Sequence, residues 1–154
     1  DLTKYYGPCC AVKRTTYGIQ PEDCFGLVGA SGAGKTSTLD TITGLHSPDD
    51  GSVFIGNRYV NSTQHVGYCP QFDALSPRLS CRQNMLVIAG IIGYKKPGLI
   101  VDEMIRFLDL TKHCNKAFGR CSGGQRRRVS IGTALINPSK LVILDEPTAG
   151  IDPE

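Results

Sequence analysis

Two apolar runs without alternation frame the chain. Cys24-Phe25-Gly26-Leu27-Val28 reads as a strand covered on both faces, the pattern of a parallel sheet. Leu141-Val142-Ile143-Leu144 is a second fully apolar strand, closed by Asp145-Glu146-Pro147 at the sheet's edge. Ahead of the first run, Ala11-Val12 leads to Tyr17-Gly18-Ile19, and Gln20-Pro21-Glu22-Asp23 punctuates as a turn, so residues 11–28 predict two strands. A helix is predicted from Lys35 to about Thr43, with Gly44 as its stop. Gly51–Ile55 and Arg58–Val60 flank Gly56-Asn57, a hairpin signal. A third strand, Val66–Cys69, ends at Pro70-Gln71.

From Ser80 to Leu110 the period becomes helical. Val101, Met104, Ile105 and Leu108 fall at i, i+3, i+4 and i+7, one apolar stripe, and Pro97-Gly98 separates two helices. Another helix has both ends marked: Ser122 with Gln125 three residues on is a capping-box spacing, and Asn137-Pro138 ends it. Internal repeats and low-complexity tracts are absent.

Composition changes this picture little. The 154 residues suffice for one domain, with 40% hydrophobic and 20% charged residues. A net charge of +3 is weak, and the one basic cluster, Arg126-Arg127-Arg128, reads as a solvated helix face, so no nucleic-acid partner is expected. The seven cysteines include no C-x-x-C pair, so a zinc site lacks its usual spacing, and an odd count beside a phosphate loop fits reduced thiols in the cytosol, most of them small buried hydrophobes. The longest apolar stretch, Met85–Gly93, is far short of the roughly 20 residues of a membrane helix, and no signal peptide is evident. A membrane link therefore has to come through other segments, and the abrupt start and stop suggest a piece of something larger.

Three blocks carry chemistry. Gly29-Ala30-Ser31-Gly32-Ala33-Gly34-Lys35-Thr36 fits the phosphate-loop pattern, with a strand predicted before it and a helix after. Glycines let backbone N–H groups turn around phosphate oxygens, and the helix dipole adds partial positive charge. Lys35 then reaches the β- and γ-phosphates, and the Thr36 hydroxyl ligates Mg²⁺. Asp145 and Glu146 are adjacent acids at an apolar strand end, costly unless a cation or bound water offsets them. Asp145 is expected to hold Mg²⁺ through water, and Glu146 to act as general base on the attacking water. Ser122-Gly123-Gly124-Gln125 opens a helix at two glycines, a second anion site fit for another subunit's nucleotide.

These blocks, with Gly67-Tyr68-Cys69-Pro70-Gln71 and Thr148-Ala149-Gly150-Ile151-Asp152, resemble the nucleotide-binding domain of ABC transporters over nearly the whole chain. Gly67–Leu75 and Cys24-Phe25-Gly26-Leu27 are similar to the A subfamily, full-length transporters often moving lipids. The resemblance implies an α/β P-loop NTPase core with a mostly parallel sheet, an antiparallel β subdomain and an α-helical subdomain at about residues 72–125. Residues 1–154 would form one such domain, C-terminally incomplete. It also implies ATP contacts from Gly29, Ala30, Ser31, Gly32, Ala33, Gly34, Lys35, Thr36 and Ser37, with Tyr6 stacking on adenine and adjacent Tyr5 the fallback. Gln71 would sense Mg²⁺ and the γ-phosphate, joining Thr36 and Asp145 around the metal and Glu146 in catalysis. Ser122, Gly123, Gly124 and Gln125 would close on a partner domain's ATP, and Asp152 would be a dimer contact. The implied partners are ATP, a second nucleotide-binding domain and the parent transporter's transmembrane domains, with this domain facing the cytosol.

Three departures stand out. Cys121 occupies a position usually Leu or an aromatic, and is expected to pack. The stretch from Gly56 to Gln71 is short for the subfamily. The family's switch histidine lies beyond Asp152, and His46, His65 and His113 all precede the acidic strand. Two other readings share the motifs: a soluble ABC ATPase acting on ribosomes or DNA, and a regulatory domain that binds ATP with little turnover. The run Gly67–Leu75 argues against the first and an intact Glu146 against the second.

Overall fold

The computed structural model describes residues 1–60 and 66–148. The chain divides into two compact units, Asp1–Gln64 and His65–Glu154.

In the first unit, β1 (Leu2–Tyr6) and β2 (Cys9–Thr15) form an antiparallel hairpin with Tyr6 opposite Cys9 and Leu2 opposite Thr15. Gly7, at φ 58°, provides the positive φ that two-residue hairpin turns demand. Leu2 and Val12 are buried. This corrects the predicted strand pair. The partner of β2 lies upstream, because Leu2–Tyr6 is a β-favouring run joined to it by the local Gly7-Pro8 turn, and Tyr17–Ile19 forms no strand. Residues 24–28 form none either, and Val28 is 93% exposed. An apolar run becomes a strand only against a hydrogen-bonding edge, and among the described residues none pairs with this one. Instead Phe25 stacks on Tyr17, ring centroids 5.2 Å apart.

The helix after the glycine-rich loop is α1 (Lys35–Ile42). The predicted hairpin forms from β3 (Phe54–Ile55) and β4 (Arg58–Tyr59), with both turn residues, Gly56 and Asn57, at positive φ. That is the requirement of the turn type that matches strand twist.

In the second unit, β5 (Gly67–Cys69) and β6 (Val142–Leu144) run parallel, Gly67 opposite Val142 and Cys69 opposite Leu144. Between them come α2 (Cys81–Ile92), α3 (Pro97–Phe107) and α4 (Gly123–Ile136). Each start has a local cause. Ser80 caps α2 in a full capping box with Gln83, Pro97 opens α3 at its first turn, and Ser122 and Gln125 form the predicted box on α4. The helices share a core of Met85, Ala89, Val101, Ile105, Val129 and Ile136, with Met104 and Leu108 packed against it, so the predicted stripe faces inward. Burial is uneven among the cysteines. Cys69, Cys81 and Cys121 are buried, but Cys9, Cys10 and Cys24 are exposed, because they lie on the β1–β2 hairpin and the unpaired 24–28 run. The expectation that most are buried therefore fails.

Candidate nucleotide site

The glycine-rich loop closes on itself. Gly32 and Gly34 have φ of 78° and 84°, conformations that side chains rarely adopt. A Cβ on Gly34 would stand 2.2 Å from the Ala11 carbonyl oxygen, so only glycine lets this loop approach β2. Lys35 Nζ donates to the carbonyls of Gly29 (2.8 Å) and Ala30 (3.0 Å), folding its cation over the loop. Ala33 N–H donates to Ala30 (3.2 Å), tightening the same turn. Ser31 and Thr36 are exposed, and Thr36 and Ser37 stand in the first turn of α1, where the helix dipole favours an anion.

Tyr6 ends β1 with its ring half-open to solvent, edge-on to His46 at 5.8 Å and 5.7 Å from Lys4 Nζ. Asp49 anchors this corner by accepting from Tyr5 N–H at 2.7 Å and pairing with Lys4 at 3.2 Å. Those two partners hold its carboxyl below the usual range. Tyr5 is also exposed, and its phenol, hydrogen-bonded to Cys10, is pushed above its ordinary value.

The second unit assembles the other residues. Asp145 continues the β5–β6 ladder, its N–H donating to Cys69 O at 2.9 Å, and only 2% of the residue is exposed. Burial pushes the neighbouring Cys69 thiol up, so it stays neutral beside this acid. Glu146 takes φ 48°, a left-handed conformation costly for a residue with a Cβ. Its side chain is exposed and accepts from Gln71 Nε2 at 2.8 Å. Residues 75 apart in sequence thus meet, as Gln71 follows β5 and Glu146 follows β6. At the start of α4, Ser122 Oγ accepts from Gln125 N–H (3.3 Å), and Gln125 Oε1 accepts from Ser122 N–H (3.1 Å). Gly123 and Gly124 form the first turn between them. Asp152 lies outside the described residues.

The arginine cluster is a solvated face only in part. Arg126 pairs with Asp73 at 3.0 Å, Arg128 donates to Leu108 O at 3.0 Å at the end of α3, and Arg127 is buried, 4% exposed. The Arg127 guanidinium donates to the carbonyls of Pro70 (2.6 Å), Gln71 (3.4 Å), Asp145 and Pro147 (3.1 Å). A desolvated charge needs such partners, and five fixed donors match them. The sequence carried one signal for this residue. Arg127, Ser130 and Ala134 share a stripe at i, i+3 and i+7, and all three are buried. Cys121 packs as expected, its sulfur 3.4 Å from that of Cys81.

The sequence matches the ABC transporter family over residues 12–149. It is 40% identical to the ABC transporter ced-7 of Caenorhabditis elegans over 154 residues, covering 100% of this chain and 9% of that protein. It is 39% identical to the phospholipid-transporting ATPase ABCA3 of Homo sapiens, covering 99% of this chain and 10% of that one. The chain thus spans about a tenth of the length of these two relatives. Among solved structures, the ATP-binding cassette MJ0796, dimeric in a post-hydrolysis state with ADP and Pi, superposes with a TM-score of 0.86. That alignment is 26% identical and covers 98% of this chain and 73% of the other. The α/β P-loop fold, the motif order and these matches place the chain in the ABC transporter family, as an ATP-binding cassette most like those of sub-family A.

Proposed function

We propose that this cassette binds and hydrolyses ATP to drive transport across a membrane, with lipid as the cargo class and a second cassette closing on the same nucleotide. The observation that carries the reading is the 2.8 Å hydrogen bond between Gln71 and Glu146, beside buried Asp145 at the end of β6. A carboxylate and an amide this close together support a site that orients and deprotonates a water. That water attacks the γ-phosphorus, the bond to the β–γ bridging oxygen breaks, and Glu146 takes the proton. Lys35 and the loop from Gly29 to Ser37 bind and orient the phosphates, and Tyr6 stacks on the adenine. Ser122–Gln125 supply donors at a helix N-terminus to the partner's ATP, and Asp152 contributes to the dimer contact.

Mg²⁺ fits the donors this chain offers. The Thr36 hydroxyl, the Gln71 amide oxygen and the Asp145 carboxylate are hard oxygen ligands, few enough to leave places for phosphate and water. Bound there, it would neutralise phosphate charge during transfer. In our reading the two units belong to one nucleotide-binding domain, with residues 72–125 as its helical part. Among the described residues no helix is long and apolar enough to cross a membrane, so the membrane link would run through transmembrane domains of the parent protein. The lipid reading is supported by similarity to a protein named for phospholipid transport.

Glu146→Gln tests this reading in a protein carrying two cassettes. It keeps the shape and removes the base, so ATP binding persists, phosphate release stalls and the closed dimer accumulates. Undiminished turnover moves the general base elsewhere.

A further inference from the structure

Arg127 has no part in the chemistry above, yet it is among the few buried charges described. Its partners are four backbone carbonyls, two on each of two loops. Pro70 and Gln71 belong to the loop after β5, and Asp145 and Pro147 bracket Glu146 after β6. Carbonyls cannot be substituted away, so the contact depends on Arg127 alone. Each loop holds one member of the Gln71–Glu146 pair, and Glu146 is in a backbone conformation that persists only when its surroundings enforce it. The bonds from Arg127 to residues 145 and 147 hold the backbone on either side of Glu146. The guanidinium stands in α4, five residues after Ser122 at that helix's cap. One rigid fork therefore joins the helix that opens at Ser122 to both loops.

We propose that Arg127 is a positioning residue for hydrolysis. It holds the Gln71 and Glu146 loops at one separation and ties them to α4, so that movement at Ser122 reaches the attacking water's carboxylate. The inference rests on Glu146 acting as the base.

The test measures turnover, ATP affinity and thermal stability of Arg127→Lys and Arg127→Gln in the same two-cassette protein. A lysine ammonium is a point donor and cannot span both loops. Gln keeps planar donors and leaves no charge to bury, so a folded variant is available even if the lysine form unfolds. A displacement of about an ångström at a reacting group costs on the order of 100-fold in rate, so we expect kcat to fall about 10- to 100-fold. KM and equilibrium ATP affinity should stay within about threefold, since the phosphate loop is untouched. In the Glu146→Gln background, either Arg127 change should alter residual turnover less than about twofold, because residues acting as a unit are not additive. A role limited to stability predicts additive losses and parallel falls in affinity.

Full kcat in either folded Arg127 variant, or additivity with Glu146→Gln, overturns the proposal. Stalled Glu146→Gln beside a fully active Arg127→Lys sinks this proposal alone. Undiminished turnover in Glu146→Gln sinks both.

Discussion

Cys81 and Cys121 show how one buried contact sets chemistry at the residue scale. Their sulfurs lie 3.4 Å apart, and Cys121 directly precedes the Ser122 cap. Burial, and after it the hydrogen bond to Cys121, pushes the Cys81 thiol from its ordinary 9.0 up to about 12. The folded state therefore holds the neutral thiol in a range where the unfolded chain ionises. The stability gained is fully present below pH 9.0 and is lost as pH rises through the window to about 12. Urea-unfolding midpoints across that window should fall more steeply for the natural protein than for Cys81→Ala. Equal slopes would show that Cys81 carries no such linkage.

At the scale of elements, α4 meets β5 backbone to backbone. A Cβ on Gly67 would stand 2.4 Å from the Ala134 carbonyl oxygen, which cannot swing aside as a side-chain tip can. Gly67→Ala should destabilise by about 1–3 kcal/mol through overpacking. Gly90, exposed in the body of α2, has nothing within 4 Å of its Cβ position. There the same substitution should stabilise by up to about 1 kcal/mol, because alanine is the better helix former. Chemical denaturation of both variants checks the opposite signs. A neutral Gly67→Ala would mean that α4 can retreat from the strand. Since the β5 and β6 loops carry Gln71 and Glu146, this packing also bears on where those two side chains meet.

For the whole molecule, Ser122 is expected to act on a partner's ATP and Lys35 on the chain's own. Turnover by a purified cassette containing these residues should therefore depend on dimer population. Phosphate release over a dilution series should rise more steeply than linearly with protein concentration while dimers are scarce. Ser122→Arg, which puts a bulky side chain at the closing face, should abolish it. Turnover strictly proportional to enzyme and indifferent to Ser122→Arg rules out the shared site.

What the sequence determined by itself is local. The cap at Ser122, the helix break at Pro97, the Gly56-Asn57 turn and the apolar stripe from Val101 to Leu108 were legible because each depends on neighbours within a few residues. The phosphate loop was legible for the same reason, its glycines answering to backbone conformations inside one turn. Strand pairing outside the Gly56-Asn57 hairpin was not. The run at residues 24–28 has the composition of a buried strand, but composition names no partner edge, and β2 paired upstream with β1 instead. The arginine cluster shows the same limit. Only the stripe it shares with Ser130 and Ala134 marks Arg127 apart from Arg126 and Arg128, and tertiary packing buries it alone of the three. The carbonyls that receive it come from positions 70, 71, 145 and 147, far from it in sequence. The Gln71–Glu146 bond likewise exists only because parallel pairing of β5 with β6 brings their ends together. A residue's type limits which bonds it can form, and long-range pairing decides which of them it makes.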